Sequence, residues 1–224
     1  MINQKIRYAP IIKFIKENNL KSICEIGSGS YGIGKFYDIH FTGIDINFSD
    51  YAGNIVGNKN HNMKRVTGSG TDIPLPDESY DLAFSLDMFE HLTSADRTTA
   101  LREGVRVAKR FFIAAFPCGK TAKKSDQILY RFYRFFHRKA PGWLVEHLEN
   151  KFFPTEEEFI GILDKSNLKY KIIGNDNIYS HWLLAIFESL PFLAKLSENI
   201  SRTPFSPSCN WSPTYRKFFI IQKR

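Results

Sequence analysis

Cysteine is scarce in this chain. Cys24, Cys118 and Cys209 are the only three among 224 residues, an odd number set far apart. That excludes a disulfide framework and a cysteine-built metal centre, so no metal and a reducing, cytoplasmic setting are expected. Long apolar runs are missing too. The greasiest stretch, "WLLAIFESLPFLAKL", is interrupted by Glu188, Pro191 and Lys195 and falls short of the roughly 20 residues a bilayer span needs. The opening "MINQKIRYAP" has no apolar core and no small-residue cleavage site, so no export signal is expected. No internal repeat or low-complexity tract is present.

Negative charge is in short supply in one place only. Residues 102–139 hold eleven Lys or Arg against Glu103 and Asp126, an excess of +9, while the whole chain carries +8. The remainder is close to neutral, which points to an anionic acceptor or surface beside this segment and away from general nucleic-acid binding. At 43% hydrophobic and 24% charged residues, the chain has the balance of one globular α/β domain spanning residues 1–224.

Short apolar runs alternate with helix-period segments. Strands are expected at 21–27, 41–46, 63–68, 80–86, 110–116, 169–174 and 216–223. Helices are expected at 10–19, at 94–108 behind Ser94 as cap, and at 155–166 behind a Thr155-to-Glu158 capping box. Such alternation predicts a mostly parallel, doubly wound sheet covered on both faces. Residues 118–153 and 176–210 are too long for plain connections and are expected to be insertions that shape a site.

The most informative stretch is "ICEIGSGSYGIG", residues 23–34. Gly27, Gly29 and Gly32 satisfy G-x-G-x-x-G after a strand, a turn that lets backbone approach a ligand closely before a following helix. Asp45 ends the next strand, where a carboxylate can accept both hydroxyls of an adenosine ribose. NAD and S-adenosylmethionine both contain that ribose. Glu25 separates them: a carboxylate there would repel a pyrophosphate and suits the ammonium of a methionine tail.

On these residues the chain resembles the class I S-adenosylmethionine-dependent methyltransferases, of the type 11 kind. "EIGSGSYGIG" is similar to their first motif, and "FTGIDI" to their second, with Asp45 as ribose ligand and Ile46 beside it. "VTGSGTDIPLPDESYDLAFSLDMFEHL" resembles their third strand, adenine loop and fourth strand. The departures are Tyr31, where the third glycine usually stands, and Ser69, where the loop commonly carries an acid. The resemblance implies a Rossmann-like, seven-stranded sheet with an antiparallel last strand and S-adenosyl-L-methionine as cofactor. It implies cofactor contacts at Glu25, Gly27, Ser28, Gly29, Asp45, Ile46, Ser69, Gly70, Thr71, Asp72 and Asp87.

For catalysis the candidates are Asp87, His91 and His147. Asp87 is placed to touch cofactor or acceptor. His91 and His147 are candidate general bases, since imidazole titrates near pH ~6.5. The plainer alternatives are an E-H-L turn held by His91 and a lid helix that happens to carry His147. In "ILYRFYRFFHRK", Arg131, Arg134 and Arg138 share one helical face, and Ile128, Phe132, Phe135 and Phe136 another. This suggests either an anionic membrane contact or a lid with packed aromatics. The expected partner is a small, lipid-linked or anionic acceptor, with a homodimer left open. Competing readings are a non-catalytic cofactor-binding module, an NAD-dependent oxidoreductase and an RNA methyltransferase.

Overall fold

The structure, a computed structural model, describes residues 2–48, 62–136, 138–149, 153–201, 203 and 210–223. Cys209, the loop after the second strand and part of the second insertion lie outside them. In chain order the elements are α1 (Ile2–Glu17), β1 (Ile23–Ile26), β2 (Phe41–Asp45), β3 (Met63–Thr67), β4 (Tyr80–Leu86), α2 (Ser94–Val107), β5 (Ala108–Pro117), α3 (Gly119–Phe135), α4 (Gly142–Glu149), α5 (Glu156–Lys165), β6 (Lys169–Asn177), α6 (Ile178–Ser189), α7 (Pro191–Ser201) and β7 (Thr214–Gln222). The strands form one sheet in the order β3-β2-β1-β4-β5-β7-β6. Pairing is parallel from β3 to β5, and β7 runs antiparallel to both neighbours.

Alternation along β5 shows how the core is divided, because successive side chains of a strand face opposite ways. Phe112, Ala114 and Phe116 pack with Leu101 of α2 and with Phe159 and Leu163 of α5. Ile113 and Ala115 pack on the other face, with Ile11 and Ile15 of α1. Both faces are covered, as the alternation of strands and helices predicts.

Four local expectations change. The first helix begins at Ile2, well before residue 10, and runs through Pro10. Proline cannot donate to the carbonyl four residues back, and Asn175 Nδ2 donates to Ile6 O instead at 3.3 Å. Buried Ile2 and Ile6, packed against Leu184 and Ile200, hold this extra length. The glycine turn is followed by a 3-10 turn, Gly32–Lys35, and not by an α-helix. Phe41 already opens β2 six residues later, which leaves no room for several helical turns. Thr93 caps α2 in place of Ser94, accepting from Asp96 N. The face of α3 that packs inward is Ala122, Ser125, Asp126, Leu129 and Tyr133, while Phe135 and Phe136 stand 77% and 55% exposed. The packed-aromatic lid is therefore overturned for those two rings. Of the 155 capping box the cap itself is made, with Thr155 Oγ1 accepting from Glu158 N at 3.1 Å, while the Glu158 carboxylate turns to Ser94 and Arg97.

Candidate active site

The strand order reverses direction between β1 and β4, and in such sheets the ligand crevice opens beyond the carboxyl ends of those two strands. The loops that carry the predicted residues all leave from that edge. Gly27 and Ser28 are strapped to β2, both donating to Ile44 O at 2.8 and 3.1 Å. Across the crevice, Met88 follows β4 and fills the space that a side chain at Gly27 or Gly70 would need. The glycine turn, the 69–72 loop and the end of β4 therefore meet at one residue.

Glu25 does not open onto the crevice. It lies fully buried beneath the glycine turn, where Oε1 accepts from Tyr8 at 2.7 Å and Oε2 from Ile33 N at 2.6 Å. Burial pushes its carboxyl up to about 8, against the pull of those two donors. A Cβ at Gly32 would stand 2.5 Å from Oε2, and Gly32 has φ +51°. Only glycine meets both demands, so Gly32, one place after Tyr31, closes the turn onto the acid. The carboxyl expected to face a methionine ammonium directly is instead the clamp that shapes the loop.

Asp45 stands at the crevice. Oδ2 accepts from Gly29 N at 2.8 Å and Oδ1 from Asn47 N at 3.2 Å. A Cβ at Gly29 would touch nothing within 4 Å, so the turn faces open space here. Next to it, Ile46 is 71% exposed. Ser69 hydrogen-bonds Thr71 through Oγ, and its carbonyl accepts from Asp72 N, so its hydroxyl shapes the 69–72 turn. A carboxylate, an exposed aliphatic side chain and open backbone within one crevice fit the ribose and base of an adenosyl group. S-adenosylmethionine, if held there, would supply an electrophilic methyl carbon.

Asp87 sits at the end of β4 with φ +58°. Two arginines from distant parts of the chain clamp it. Arg216 Nε and Nη2 donate to Oδ1 and Oδ2 at 2.7 and 3.0 Å, and Arg7 Nη1 donates to Oδ2 at 2.7 Å. Burial raises the pKa of this carboxyl, but the Arg216 and Arg7 guanidiniums outweigh it and leave the pKa below the ordinary value. Asp87 is thus a poor proton acceptor and a rigid anchor for the loop that follows.

Beyond it lies a polar layer drawn from both insertions. His91 Nδ1 meets Glu146 Oε1 at 2.8 Å, and His147 Nδ1 meets Asp126 Oδ2 at 3.0 Å. The two imidazole centroids stand 5.9 Å apart. Tyr215 donates to Asp126 Oδ1 at 2.8 Å and stacks at 3.9 Å on His181, whose Nδ1 meets Asp176 Oδ2 at 2.9 Å. Arg216 reaches that same Asp176 oxygen at 3.5 Å. Trp143 presents its ring at an angle to His147 and His181. Glu90 is buried, and that burial, with Asp87 nearby, raises its carboxyl well above the usual range. His91 and His147 are thus brought together. Asp126, Asp176, His181, Tyr215, Arg7 and Arg216 were missed, because nothing in their spacing marks them and only the packing of the insertions unites them.

Residues 24–111 match the model of a methyltransferase domain. No curated protein matches the chain. Among solved structures, an S-adenosylmethionine-dependent methyltransferase from Thermotoga maritima, a possible histamine N-methyltransferase, is 18% identical with a TM-score of 0.58, covering 100% of this chain and 92% of that one. An S-adenosylmethionine-dependent methyltransferase from Archaeoglobus fulgidus is 18% identical with a TM-score of 0.57, covering 98% and 92%. Magnesium protoporphyrin IX methyltransferase from Synechocystis PCC 6803, solved with bound SAH, is 12% identical with a TM-score of 0.56, covering 100% and 84%. These structural likenesses establish the Rossmann-like sheet, and the sequence match establishes the cofactor half. Residues 24–111 carry a methyltransferase domain, set in a sheet of the kind found in S-adenosylmethionine-dependent methyltransferases.

Proposed function

We propose that the enzyme methylates an anionic, lipid-linked acceptor presented at a membrane surface. Asp45 accepts the ribose hydroxyls of the cofactor, Ile46 covers one face of its base, and the 69–72 turn meets the base edge. Glu25 acts from below by ordering the turn. Asp87 orients the loop that carries Glu90 and His91, and the acceptor enters over the layer formed by His91, His147 and Trp143.

The observation that carries the acceptor class is the outer end of α3. The inward face of this helix supplies Asp126 to the acceptor side. Its far end presents exposed Phe135 and Phe136 beside exposed Arg131, Arg134, Arg138 and Lys139. Arg138 Nη1 donates to Ser189 O at 2.7 Å, which ties this end to the α6–α7 junction. There Leu190 is exposed and Phe192 is 80% exposed. Aromatic side chains ringed by arginines are suited to the interface of an anionic bilayer, where rings enter the headgroup boundary and cations pair with phosphates. Among the described residues no helix is long and apolar enough to cross a membrane, so contact would be peripheral.

Flotation with vesicles of mixed phosphatidylglycerol and phosphatidylcholine tests this. The protein is expected to float with anionic vesicles, to stay behind with neutral ones, and to lose binding in the double variant Phe135→Ser, Phe192→Ser. With labelled S-adenosylmethionine, label is expected in the organic phase of a lipid extract. Label confined to water-soluble products, with no flotation, would overturn the acceptor class and leave the methyltransferase assignment standing.

A further inference from the structure

We propose that Glu90, His91 and His147 form a binding site for a divalent transition-metal cation on the acceptor side of the crevice. One ligand atom from each of the three lies within 4.8 Å of the other two. Metal–ligand bonds of about 2.0–2.2 Å bring neighbouring donors to about 3–3.5 Å from one another, so side-chain adjustments of an ångström or so close the site. The donor set is two imidazoles and a carboxylate. That is a borderline set, suited to the manganese, cobalt and zinc series and unlike the all-oxygen cages of calcium or magnesium.

The surroundings are those of a metal centre. Each histidine has a carboxylate on Nδ1: Asp126 at 3.0 Å for His147 and Glu146 at 2.8 Å for His91. A carboxylate there fixes the ring, keeps the proton on Nδ1 and leaves Nε2 basic for a cation. Tyr215, bonded to the other oxygen of Asp126 at 2.8 Å, holds that carboxylate in turn. The ring edges of Trp143 and Phe153 contact His147 and exclude water from one side. His91 is 37% exposed at the side chain, which gives a cation a way in. Three protein ligands also leave coordination positions open, and these take an oxygen-bearing acceptor such as a hydroxyl or phosphate.

The site adjoins the cofactor. Glu90 and His91 lie in a 3-10 turn, Phe89–His91, immediately after Met88, which packs on Gly27 and Gly70. This inference deepens the acceptor reading above and rests on the same crevice.

The test uses full-length protein stripped with EDTA and titrated with cobalt(II), followed by ligand-field absorption, and with manganese(II), followed by electron paramagnetic resonance. One equivalent is expected to bind. His147→Ala and His91→Ala should each weaken binding by more than the about 10–100-fold expected of Asp126→Asn, which removes only the support of His147. Titration with S-adenosylhomocysteine, run on every variant, separates loss of metal from loss of fold. Should a variant fail that control, paramagnetic broadening of the His91 and His147 imidazole signals in the unaltered protein supplies the answer. Stoichiometric cobalt binding undiminished in both histidine variants, or no binding while S-adenosylhomocysteine still binds, overturns the site. Loss of S-adenosylhomocysteine binding by the unaltered protein would instead overturn the cofactor reading.

Discussion

At the scale of single residues, Glu25 shows how one side chain can serve a ligand without facing it. Its two oxygens join α1, through Tyr8, to the turn after the glycines, through Ile33. Tyr8 is partly buried beside it, and desolvation followed by the Glu25 charge raises the phenol well above its usual range. The folded carboxyl titrates at about 8 against 4.5 as a free group. Between those values the folded chain holds a proton that the unfolded chain has released. Folding stability contributed here is therefore full below the lower value and is lost as pH rises toward the upper one, with a limiting slope of about 1.4 kcal/mol per pH unit. Glu25→Gln removes the titration. Melting curves from pH 5 to 9 should show the variant gaining on the unaltered protein up to about pH 8 and levelling off above it, and a constant gap throughout would contradict this account. The acid and Asp45 were legible in the sequence because a glycine turn fixes what stands around it. The inward direction of Glu25 was not, because Tyr8 belongs to a helix whose start the sequence pattern hides.

Among the elements, α5 shows the sequence at its most readable and α3 at its least. Thr155 and the three glutamates after it announce a helix start, and the cap is made as expected. Glu158, the third of those glutamates, also receives both bonds of Arg97 Nη1 at 3.0 and 2.9 Å. Arg97 is only 1% exposed, and its Nε donates to Phe89 O at 3.0 Å. This arginine pins the Phe89–His91 turn to α5. Arg97→Met should cost about 1–3 kcal/mol in urea unfolding, since the buried Phe89 carbonyl loses its donor and the partly exposed Glu158 its partner. Thr155→Ala, by contrast, should cost about 1 kcal/mol. In α3 the aromatics suggest a buried stripe, but the buried stripe is offset from them and includes Ser125 and Asp126. Hydrophobic periodicity cannot find a face whose inward residues are polar and satisfied by Trp182 Nε1, at 2.7 Å, and His147.

For the whole molecule, the doubly wound sheet follows from the alternation of elements, and the antiparallel β7 from the family resemblance. The acceptor side does not follow from either. Its groups come from α1, the end of β4, both insertions and β7, and no local pattern encodes their meeting. Asp87 shows the point best, since Arg7 and Arg216 clamp it from near opposite ends of the chain. A double-mutant cycle with Arg7→Met and Arg216→Met should give a coupling of about 0.5–3 kcal/mol between residues far apart in sequence. Strict additivity would mean that the two guanidiniums do not share the carboxylate.

That shared carboxylate bears on how the enzyme comes into being. Until residue 216 is in place, Arg7 is the one guanidinium of this pair available to Asp87. Competence for methyl transfer would then arrive abruptly, as the ribosome finishes the last strand, and not gradually as the cofactor-binding half emerges.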